Sequence, residues 1–244
     1  MSFNKTDISW TSKTWNPVTG CTKISLGCYN CFANEQADDF CERGVPKYAN
    51  GFDLTMHWEL LDEPLHHRKP QLVFVGSMCD IFHADVTDEF LVALFDVMRR
   101  TPQHTYQLLT KRPERMAEFA KTIEWPKNVW AGTTIEHNDY VNRADFLREI
   151  PAPVRFLSCE PLLGPLADLD LTGIDWVICG GESGEGWRPM DSDWARALRD
   201  RCVDAKVAFL FKQWAARFPK KLGRELDGVI WDEMPKPATD EDAA

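Results

Sequence analysis

The chain has 244 residues, of which 44% are hydrophobic and 27% are charged, and its formal net charge is −10 with a pI near 5.1. These values are typical of one large globular domain, and they exclude broad electrostatic capture of nucleic acid while leaving room for a local basic groove. No apolar run approaches the roughly 18 residues that a membrane span needs. Eight cysteines without a visible export signal favour reduced thiols or metal ligands in a cytoplasmic protein over a disulfide framework.

Short apolar strands alternate with helices along the chain. A first strand near residues 14–18 precedes a cysteine-rich loop and a helix that runs from residue 33 past Cys41. Hydrophobic periodicity predicts further strands at 71–77, 104–109, 128–133, 154–158, 176–179 and 207–211. The helices between them are expected at 87–100, 113–123, 138–149 and 192–205, the first of these with Thr87 as its cap.

Near-continuous apolar strands separated by helices indicate a parallel sheet. The sequence therefore predicts an α/β fold, a partial or closed (β/α) TIM-like barrel with about six to seven parallel strands over residues 1–225. A doubly wound open sheet is the alternative. Residues 226–244, which contain two prolines and end in DEDAA, are expected to form an acidic C-terminal tail.

Three cysteines near the start of the chain, Cys21, Cys28 and Cys31, are spaced C-x6-C-x2-C on a glycine-flanked loop. Structural zinc normally closes its shell with four protein ligands. Three thiolates are what an iron–sulfur cluster needs if one iron is left open for a substrate or cofactor. Cys41 lies ten residues beyond Cys31 and is a possible fourth thiolate, so a zinc site remains the alternative.

Polar side chains follow nearly every predicted strand. The loops after the C-terminal ends of parallel strands build the active site in folds of this class. The candidates at this edge are Ser77, Cys79, Asp80, Lys111, Arg112, Thr133, Glu136, Cys159, Glu160, Gly180, Gly181, Glu182 and Ser183. We expect Lys111 and Arg112 to bind a carboxylate or phosphate of the substrate, because a cation at a helix start opposes the helix dipole and needs another reason to be there. Two adjacent glycines allow the backbone at 180–181 to approach a ligand closely.

The order of an opening strand, a three-cysteine loop, a helix and repeated βα units resembles that of the radical S-adenosylmethionine enzymes. Their usual cysteine spacing is C-x3-C-x2-C, whereas the first gap here has six residues. The chain more closely resembles a phage and prophage family of unknown function whose members are similar to radical enzymes of the spore photoproduct lyase kind. The motifs that carry this resemblance are W-N-P-x-x-G-C at 15–21, G-C-x-x-C at 27–31, T-K-R-P at 110–113 and G-G-E-S-G at 180–184.

The resemblance implies a radical S-adenosylmethionine-type enzyme that acts on a nucleic-acid base or nucleotide. It implies a [4Fe-4S] cluster on Cys21, Cys28 and Cys31, a flavodoxin or ferredoxin as electron donor, and a three-Cys-motif protein as partner. The residues expected to bind S-adenosylmethionine are Ser77, Asp80, Thr133, Glu136, Gly180, Gly181, Glu182 and Ser183. The expected catalytic residues are Cys79 and Cys159, as hydrogen-atom donors, and Glu160, as an acid or base.

Two other classes of function stay open at this point. One is a non-catalytic barrel stabilised by zinc that serves as a partner-binding module. The other is a metal-independent barrel hydrolase that uses Glu136, Glu160 or Glu182.

Overall fold

A computed structural model of the chain describes residues 3–235. The helices in this range are α1 (Phe32–Glu42), α2 (Asp88–Arg100), α3 (Pro113–Ala120), α4 (Arg143–Arg148) and α5 (Ser192–Ala205). The strands before α3 are β1 (Asn4–Lys5), β2 (Lys13–Trp15), β3 (Val18–Thr19), β4 (Thr55–Met56), β5 (Leu72–Val75) and β6 (Thr105–Thr110). The later strands are β7 (Val129–Thr134), β8 (Arg155–Cys159), β9 (Trp176–Gly180), β10 (Ala208–Gln213), β11 (Glu225–Leu226) and β12 (Val229–Ile230).

The main sheet is mostly parallel, which confirms the predicted α/β class. Within residues 3–235 it contains eight strands in the order β1-β2-β5-β6-β7-β8-β9-β10. Strand β1 runs antiparallel to β2, and every later pair in the row is parallel. The seven parallel strands correspond to the seven strand segments expected from the sequence. The strand pairings among residues 3–235 form an open row from β1 to β10, without a pairing between these two end strands.

The two faces of the sheet have different coverings. Alternate side chains such as Val73 and Val75 face a large core that also contains the buried residues of α2, α3, α4 and α5. The side chains between them, such as Phe74, join a separate aromatic cluster around Trp10. A doubly wound sheet carries helices on both faces, so this arrangement favours the barrel-type alternative.

Most element ends lie within two or three residues of the sequence-based expectation. Thr87 caps α2 as predicted, because its hydroxyl accepts the Phe90 N–H at 3.3 Å. Two expected elements are interrupted. The first strand is split into β2 and β3 around Pro17, which has no N–H for a ladder hydrogen bond. The helix expected at 138–149 is a 3₁₀ turn at Asn138–Tyr140 followed by the short α4.

The C-terminal boundary predicted at residue 226 falls inside a hairpin. Strands β11 and β12 pair, Leu226 is fully buried, and the Trp231 carbonyl accepts the Phe211 N–H at 3.0 Å. The described chain therefore packs against the sheet beyond residue 226, and residues 236–244 of the expected acidic tail lie outside the described residues. Between residues 3 and 235, no helix combines the length and apolarity required to cross a lipid bilayer.

Candidate active site

A cleft with a volume of about 280 Å³ lies at the C-terminal ends of the parallel strands. This is the edge at which the sequence predicted a functional site. The expected site residues that line the cleft are Cys21, Cys28, Cys31, Ser77, Cys79, Asp80, Lys111, Glu160, Gly181, Glu182 and Ser183. The three-cysteine loop and the loops after β5, β6, β8 and β9 therefore meet in one place.

The start of the cysteine loop is fixed by close backbone contacts. Gly20 has a φ of +85°, and a Cβ at this position would lie only 2.3 Å from the Asp53 carbonyl oxygen. The Gly20 N–H donates to the Met78 carbonyl at 3.0 Å, and the Cys21 N–H donates to the Phe52 carbonyl at 3.2 Å. Only glycine satisfies both the left-handed backbone and the close approach, which explains the glycine before the first cysteine.

The Asn16 side chain connects the W-N-P motif to the loop after β5. Its Oδ1 accepts the Met78 N–H at 3.1 Å, and its side chain hydrogen-bonds the Ser77 hydroxyl at 3.0 Å. The Lys47 ammonium donates to the Asn16 carbonyl at 2.6 Å. This network holds Ser77 at the wall of the cleft.

Glu136 does not line the cleft, and its carboxylate instead forms hydrogen bonds with the cysteine loop. Its carboxylate is fully buried, and Oε2 accepts from Arg143 at 2.8 Å. Oε1 accepts the Gly27 N–H at 3.3 Å and the Ser25 hydroxyl. A buried carboxylate needs such partners because an unpaired charge is costly in the protein interior. The expected cofactor-binding role of Glu136 is therefore replaced by a loop-positioning one.

The three thiols are free of disulfides and partly buried. Burial and the nearby Asp80 raise the pKa of the Cys21 thiol, although an Arg112 N–H lies 3.6 Å from its Sγ and opposes that shift. Burial also acts to raise the pKa of Cys28, but hydrogen bonds from the Ile24 and Ser25 region and the charge of Lys111 lower it overall. The shift at Cys28 favours its thiolate form, whereas the shift at Cys21 opposes it.

The donor set fits a thiolate-ligated cluster. Three soft sulfur donors share one cleft, and hydrogen-bond donors lie near Cys21 and Cys28. Cys41 is set apart from them on α1, with its Sγ 3.8 Å from the Ala49 carbonyl oxygen. Among residues 3–235, no three or more His, Cys, Asp or Glu side chains are grouped closely enough to hold a single metal ion.

The Asp80 carboxylate is saturated by partners within the chain. Oδ1 accepts from the Thr110 hydroxyl at 2.6 Å and from the Phe82 N–H at 3.0 Å. Oδ2 accepts from the Lys111 N–H at 3.1 Å and from the Arg112 guanidinium at 2.8 Å. Four donors occupy its acceptor positions, so Asp80 ties the loops after β5 and β6 together and is not available for a cofactor's ammonium.

The Arg112 side chain faces the cysteine loop and does not line the cleft. Besides Asp80 and Cys21, its guanidinium contacts the Thr22 carbonyl at 3.2 Å and the Thr22 hydroxyl at 3.0 Å. These contacts explain a cation at the start of α3 and correct the substrate-binding role expected for Arg112. Lys111 is different, because it lines the cleft and forms no ion pair with any of residues 3–235.

Glu182 is held by two residues, Arg188 and Asn30, that the sequence patterns did not single out. Its carboxylate accepts Arg188 N–H groups from the backbone at 2.8 Å and from Nε at 2.9 Å, and the Asn30 amide at 3.0 Å. Arg188 also donates to the Leu26 carbonyl at 3.0 Å. Burial acts to raise the pKa of the Glu182 carboxyl, but the Arg188 and Asn30 hydrogen bonds hold it below its usual value.

The two glycines before Glu182 serve chain packing. A Cβ at Gly180 would lie 2.6 Å from a Glu160 carboxylate oxygen, and one at Gly181 would lie 2.2 Å from the Ala215 nitrogen. At Gly180 the close approach is to the Glu160 side chain and not to a ligand, which corrects the expectation for this residue, whereas Gly181 also lines the cleft. Glu160 itself pairs with Lys212 at 2.9 Å and lines the cleft with it. Lys212 directly follows the apolar core of a predicted strand, which is the signal that could have identified it.

Two further expected site residues, Cys159 and Thr133, also do not line the cleft. Cys159 is fully buried with Cys179 on the helix face of the sheet, where burial raises its thiol pKa well above the usual value. Thr133 is also fully buried, and its hydroxyl donates to the Thr110 carbonyl at 2.9 Å. The side-chain alternation of β7 and β8 places both residues in the core, so the catalytic role expected for Cys159 and the cofactor role expected for Thr133 are wrong.

The sequence of residues 5–235 matches a protein family described as "Protein of unknown function (DUF5131)". The chain belongs to this family. The match covers nearly all of the residues that form the sheet and the cleft, so the site described above is part of the DUF5131 domain. No functionally curated protein matches the sequence.

The DUF5131 chain is similar in fold to spore photoproduct lyase. The structure of that enzyme complexed with dinucleoside spore photoproduct gives a TM-score of 0.52 at 11% sequence identity, covering 82% of this chain and 63% of the other. A double mutant of the enzyme with bound AdoMet and dinucleoside spore photoproduct gives the same values. The chain thus spans less than two thirds of those structures. The likeness confirms the predicted fold relationship, and the phage origin stays a prediction.

Proposed function

We propose that this DUF5131 protein is a radical S-adenosylmethionine-type enzyme with a [4Fe-4S] cluster ligated by Cys21, Cys28 and Cys31. The observation that carries the proposal is the position of these three thiols on one cleft, with Cys41 set apart. The cleft lies at the functional edge of a parallel sheet that shares the fold of spore photoproduct lyase. Three protein thiolates leave one iron of such a cluster open.

Cys21, Cys28 and Cys31 would hold the cluster, which when bound would supply the electron for reductive cleavage of S-adenosylmethionine at its 5′-deoxyadenosyl group. The chain's own contribution is to bind and orient. Ser77, Gly181 and Ser183 line the cleft beside the cysteines and are the remaining candidates to hold the polar groups of the cofactor. Glu182 lines the same cleft, but its carboxylate already accepts four donors from Arg188 and Asn30, so like Asp80 it positions loops and is not available for a ribose or an ammonium. Cys79, which also lines the cleft, is the remaining candidate hydrogen-atom donor.

The charge of the cleft favours an anionic substrate. Each of the three carboxylates that line it has a cation partner: Asp80 with Arg112, Glu160 with Lys212, and Glu182 with Arg188. Lys111 also lines the cleft, and it forms no ion pair with any of residues 3–235. We therefore propose that Lys111 binds a phosphate or carboxylate of the substrate. The substrate class that we propose is a nucleic-acid base or nucleotide.

The reaction needs an electron from outside the chain, and we propose a flavodoxin or ferredoxin as its source and a three-Cys-motif protein as a further partner. The hydrolase alternative requires a carboxyl group that is free to act as acid or base. Glu136, Glu160 and Glu182 all have cation partners instead. These pairings make the hydrolase the weaker hypothesis.

The proposal is tested by anaerobic reconstitution of the protein with iron and sulfide, followed by dithionite and S-adenosylmethionine. We expect slow formation of 5′-deoxyadenosine without substrate, measured by chromatography. Cys28→Ala should abolish the product, whereas Cys41→Ala, which alters a thiol outside the cleft, should retain it. A fully loaded cluster that forms no 5′-deoxyadenosine and binds no S-adenosylmethionine by calorimetry would reject the proposal.

A further inference from the structure

A short basic segment follows strand β10 in a protein whose formal net charge is −10. We call residues 217–224 the basic loop. Its cations are Arg217, Lys220, Lys221 and Arg224. The loop also exposes two large apolar side chains, Phe218 and Leu222, each at 57% of full exposure. A run of cations interleaved with an exposed aromatic residue is the composition of a nucleic-acid-binding surface.

The basic loop begins at the rim of the cleft. The residue before it, Ala216, donates its N–H to the Glu182 carbonyl at 3.0 Å and forms a parallel bridge with Ser183. Three residues earlier, the Gln213 side chain donates to the Gly181 carbonyl at 2.9 Å. Gly181, Ser183 and Gln213 all line the cleft. A nucleic-acid strand bound along the basic loop would therefore lie next to the cleft.

Two cations of the basic loop, Arg217 and Lys220, form only exposed ion pairs with the protein's own acids. Arg217 lies 3.7 Å from Glu185, with side chains 58% and 82% exposed. Lys220 lies 3.1 Å from Asp7, with side chains 81% and 91% exposed. Exposed pairs of this kind contribute about 0–1 kcal/mol and are easily exchanged for another anion.

Phe218 is flanked by two of these cations. The Lys221 ammonium lies 4.9 Å from its ring centroid, and the Arg217 guanidinium lies 5.5 Å from it. An exposed aromatic ring between two cations offers a stacking face for a base and charges for the phosphates on either side. Arg224 has a structural role, since it pairs with Asp232 and lies near the Phe211 carbonyl.

We propose that the basic loop binds the phosphate backbone of a single-stranded nucleic acid, with Phe218 stacked on a base, and directs a nucleotide into the cleft. This deepens the proposed function, because it makes the substrate a strand and not a free nucleotide. The single-stranded form is favoured because an isolated exposed ring can stack only on a base that is unpaired and accessible. Binding of the strand itself does not require the cluster.

The test is fluorescence anisotropy with a labelled single-stranded DNA of mixed sequence, about 12 nucleotides long, to match the site size of such surfaces. The variant is Arg217→Gln, Lys220→Gln, Lys221→Gln. Its matched control is Arg68→Gln, Lys69→Gln, Lys127→Gln, whose residues are exposed and precede β5 and β7 at the opposite edge of the sheet. Each triple variant changes the formal net charge from −10 to −13.

We expect the basic-loop variant to bind about 100-fold more weakly than the unmodified protein at about 0.1 M salt, because roughly three phosphate contacts are lost. The slope of log affinity against log salt should become shallower by about 2. The control should bind within about twofold of the unmodified protein. Phe218→Ala should weaken binding about tenfold or more without changing the salt slope, since stacking is not ionic.

Several outcomes overturn the proposal. If the basic-loop variant and its control lose affinity for the oligonucleotide equally, the binding depends on the overall charge of the protein and not on the basic loop. The proposal is also overturned if the unmodified protein does not bind the oligonucleotide but binds an acidic redox protein through the basic loop. The basic loop would then be the binding site for that partner. Failure of the proposed function is detected separately, because the reconstituted protein would then contain no iron or form no 5′-deoxyadenosine. Binding of the strand is also measured on the metal-free protein, so it does not depend on that result.

Discussion

At the scale of single residues, the cleft contains a cation, Lys111, that forms no ion pair with a carboxylate among residues 3–235. Lys111 lies at the end of β6, and its charge lowers the pKa of the neighbouring Cys28 thiol. The carboxylates lining the same cleft are paired with other cations. Lys111 is therefore positioned to bind an anionic group that enters the cleft.

Lys111→Ala should weaken the binding of an anionic probe, adenosine monophosphate, by about tenfold or more, because a charged hydrogen bond is worth about 1.5–3 kcal/mol. Isothermal titration calorimetry measures this, and the iron content should stay unchanged. Raised salt should reproduce the loss only in part, since a site inside a cleft is poorly screened. Lys127→Ala, at the opposite edge of the sheet, is the control. An unaltered dissociation constant in Lys111→Ala would contradict the assignment.

Sequence patterns located the residues of this edge better than they assigned their roles. Polar residues after apolar strands predicted the position of Lys111, Arg112 and Asp80 at the cleft or beside it. Their partners depend on how loops distant in the chain meet, and no local pattern contains that information. A cation at the start of α3 does need a reason to be there, but the reason is Asp80 and the cysteine loop rather than a substrate.

At the scale of elements, the Glu182–Arg188 ion pair lies in the loop after β9 and is hydrogen-bonded to the cysteine loop. Glu182 follows β9, and its partner Arg188 also donates to the Leu26 carbonyl in the cysteine loop. The Glu182 carboxylate is 4% exposed, and hydrogen bonds hold its pKa below the usual value despite burial. The pair should thus stabilise the folded protein whenever Glu182 is ionised.

The stability contribution of Glu182 should depend on pH with a definite sign. A carboxyl with a lowered folded pKa stabilises fully above its unfolded pKa of about 4.3 and loses that contribution as pH falls through the folded value. Glu182→Gln should cost about 1–3 kcal/mol at pH 7 in urea unfolding, and the difference should shrink below about pH 4. Glu185→Gln, an exposed neighbour, should cost less than about 0.5 kcal/mol. A pH-independent difference for Glu182→Gln would contradict this account.

The elements themselves were largely predictable. Strands such as β5 and β9 are apolar on nearly every residue, and α2 has a clear cap and an acidic first turn, so the local sequence signals agree with the observed elements. The interruptions were harder to foresee. Pro17 breaks the first strand, and the helix expected at 138–149 begins late, because Asn138–Tyr140 form a separate turn whose N-cap is His137.

At the scale of the whole molecule, the sequence-based α/β fold with seven parallel strands agrees with the structure. Closure of the sheet would depend on pairing between its two end strands, β1 and β10, and no local sequence pattern contains that information. The convergence of five loops on one cleft follows from strand direction alone. For this reason the sequence pattern was sufficient to connect the three cysteines with the polar strand ends.

The central claim is that three thiolates, and not four, hold the cluster. The measurement is iron and zinc content with the absorbance spectrum after anaerobic reconstitution of Cys21→Ala, Cys28→Ala, Cys31→Ala and Cys41→Ala. We expect the first three variants to lose iron and the brown absorbance near ~400 nm of thiolate-ligated clusters, because each removes one of three protein bonds. Cys41→Ala should keep both. Loss of metal in Cys41→Ala, or a colourless unmodified protein that contains zinc, would contradict the account.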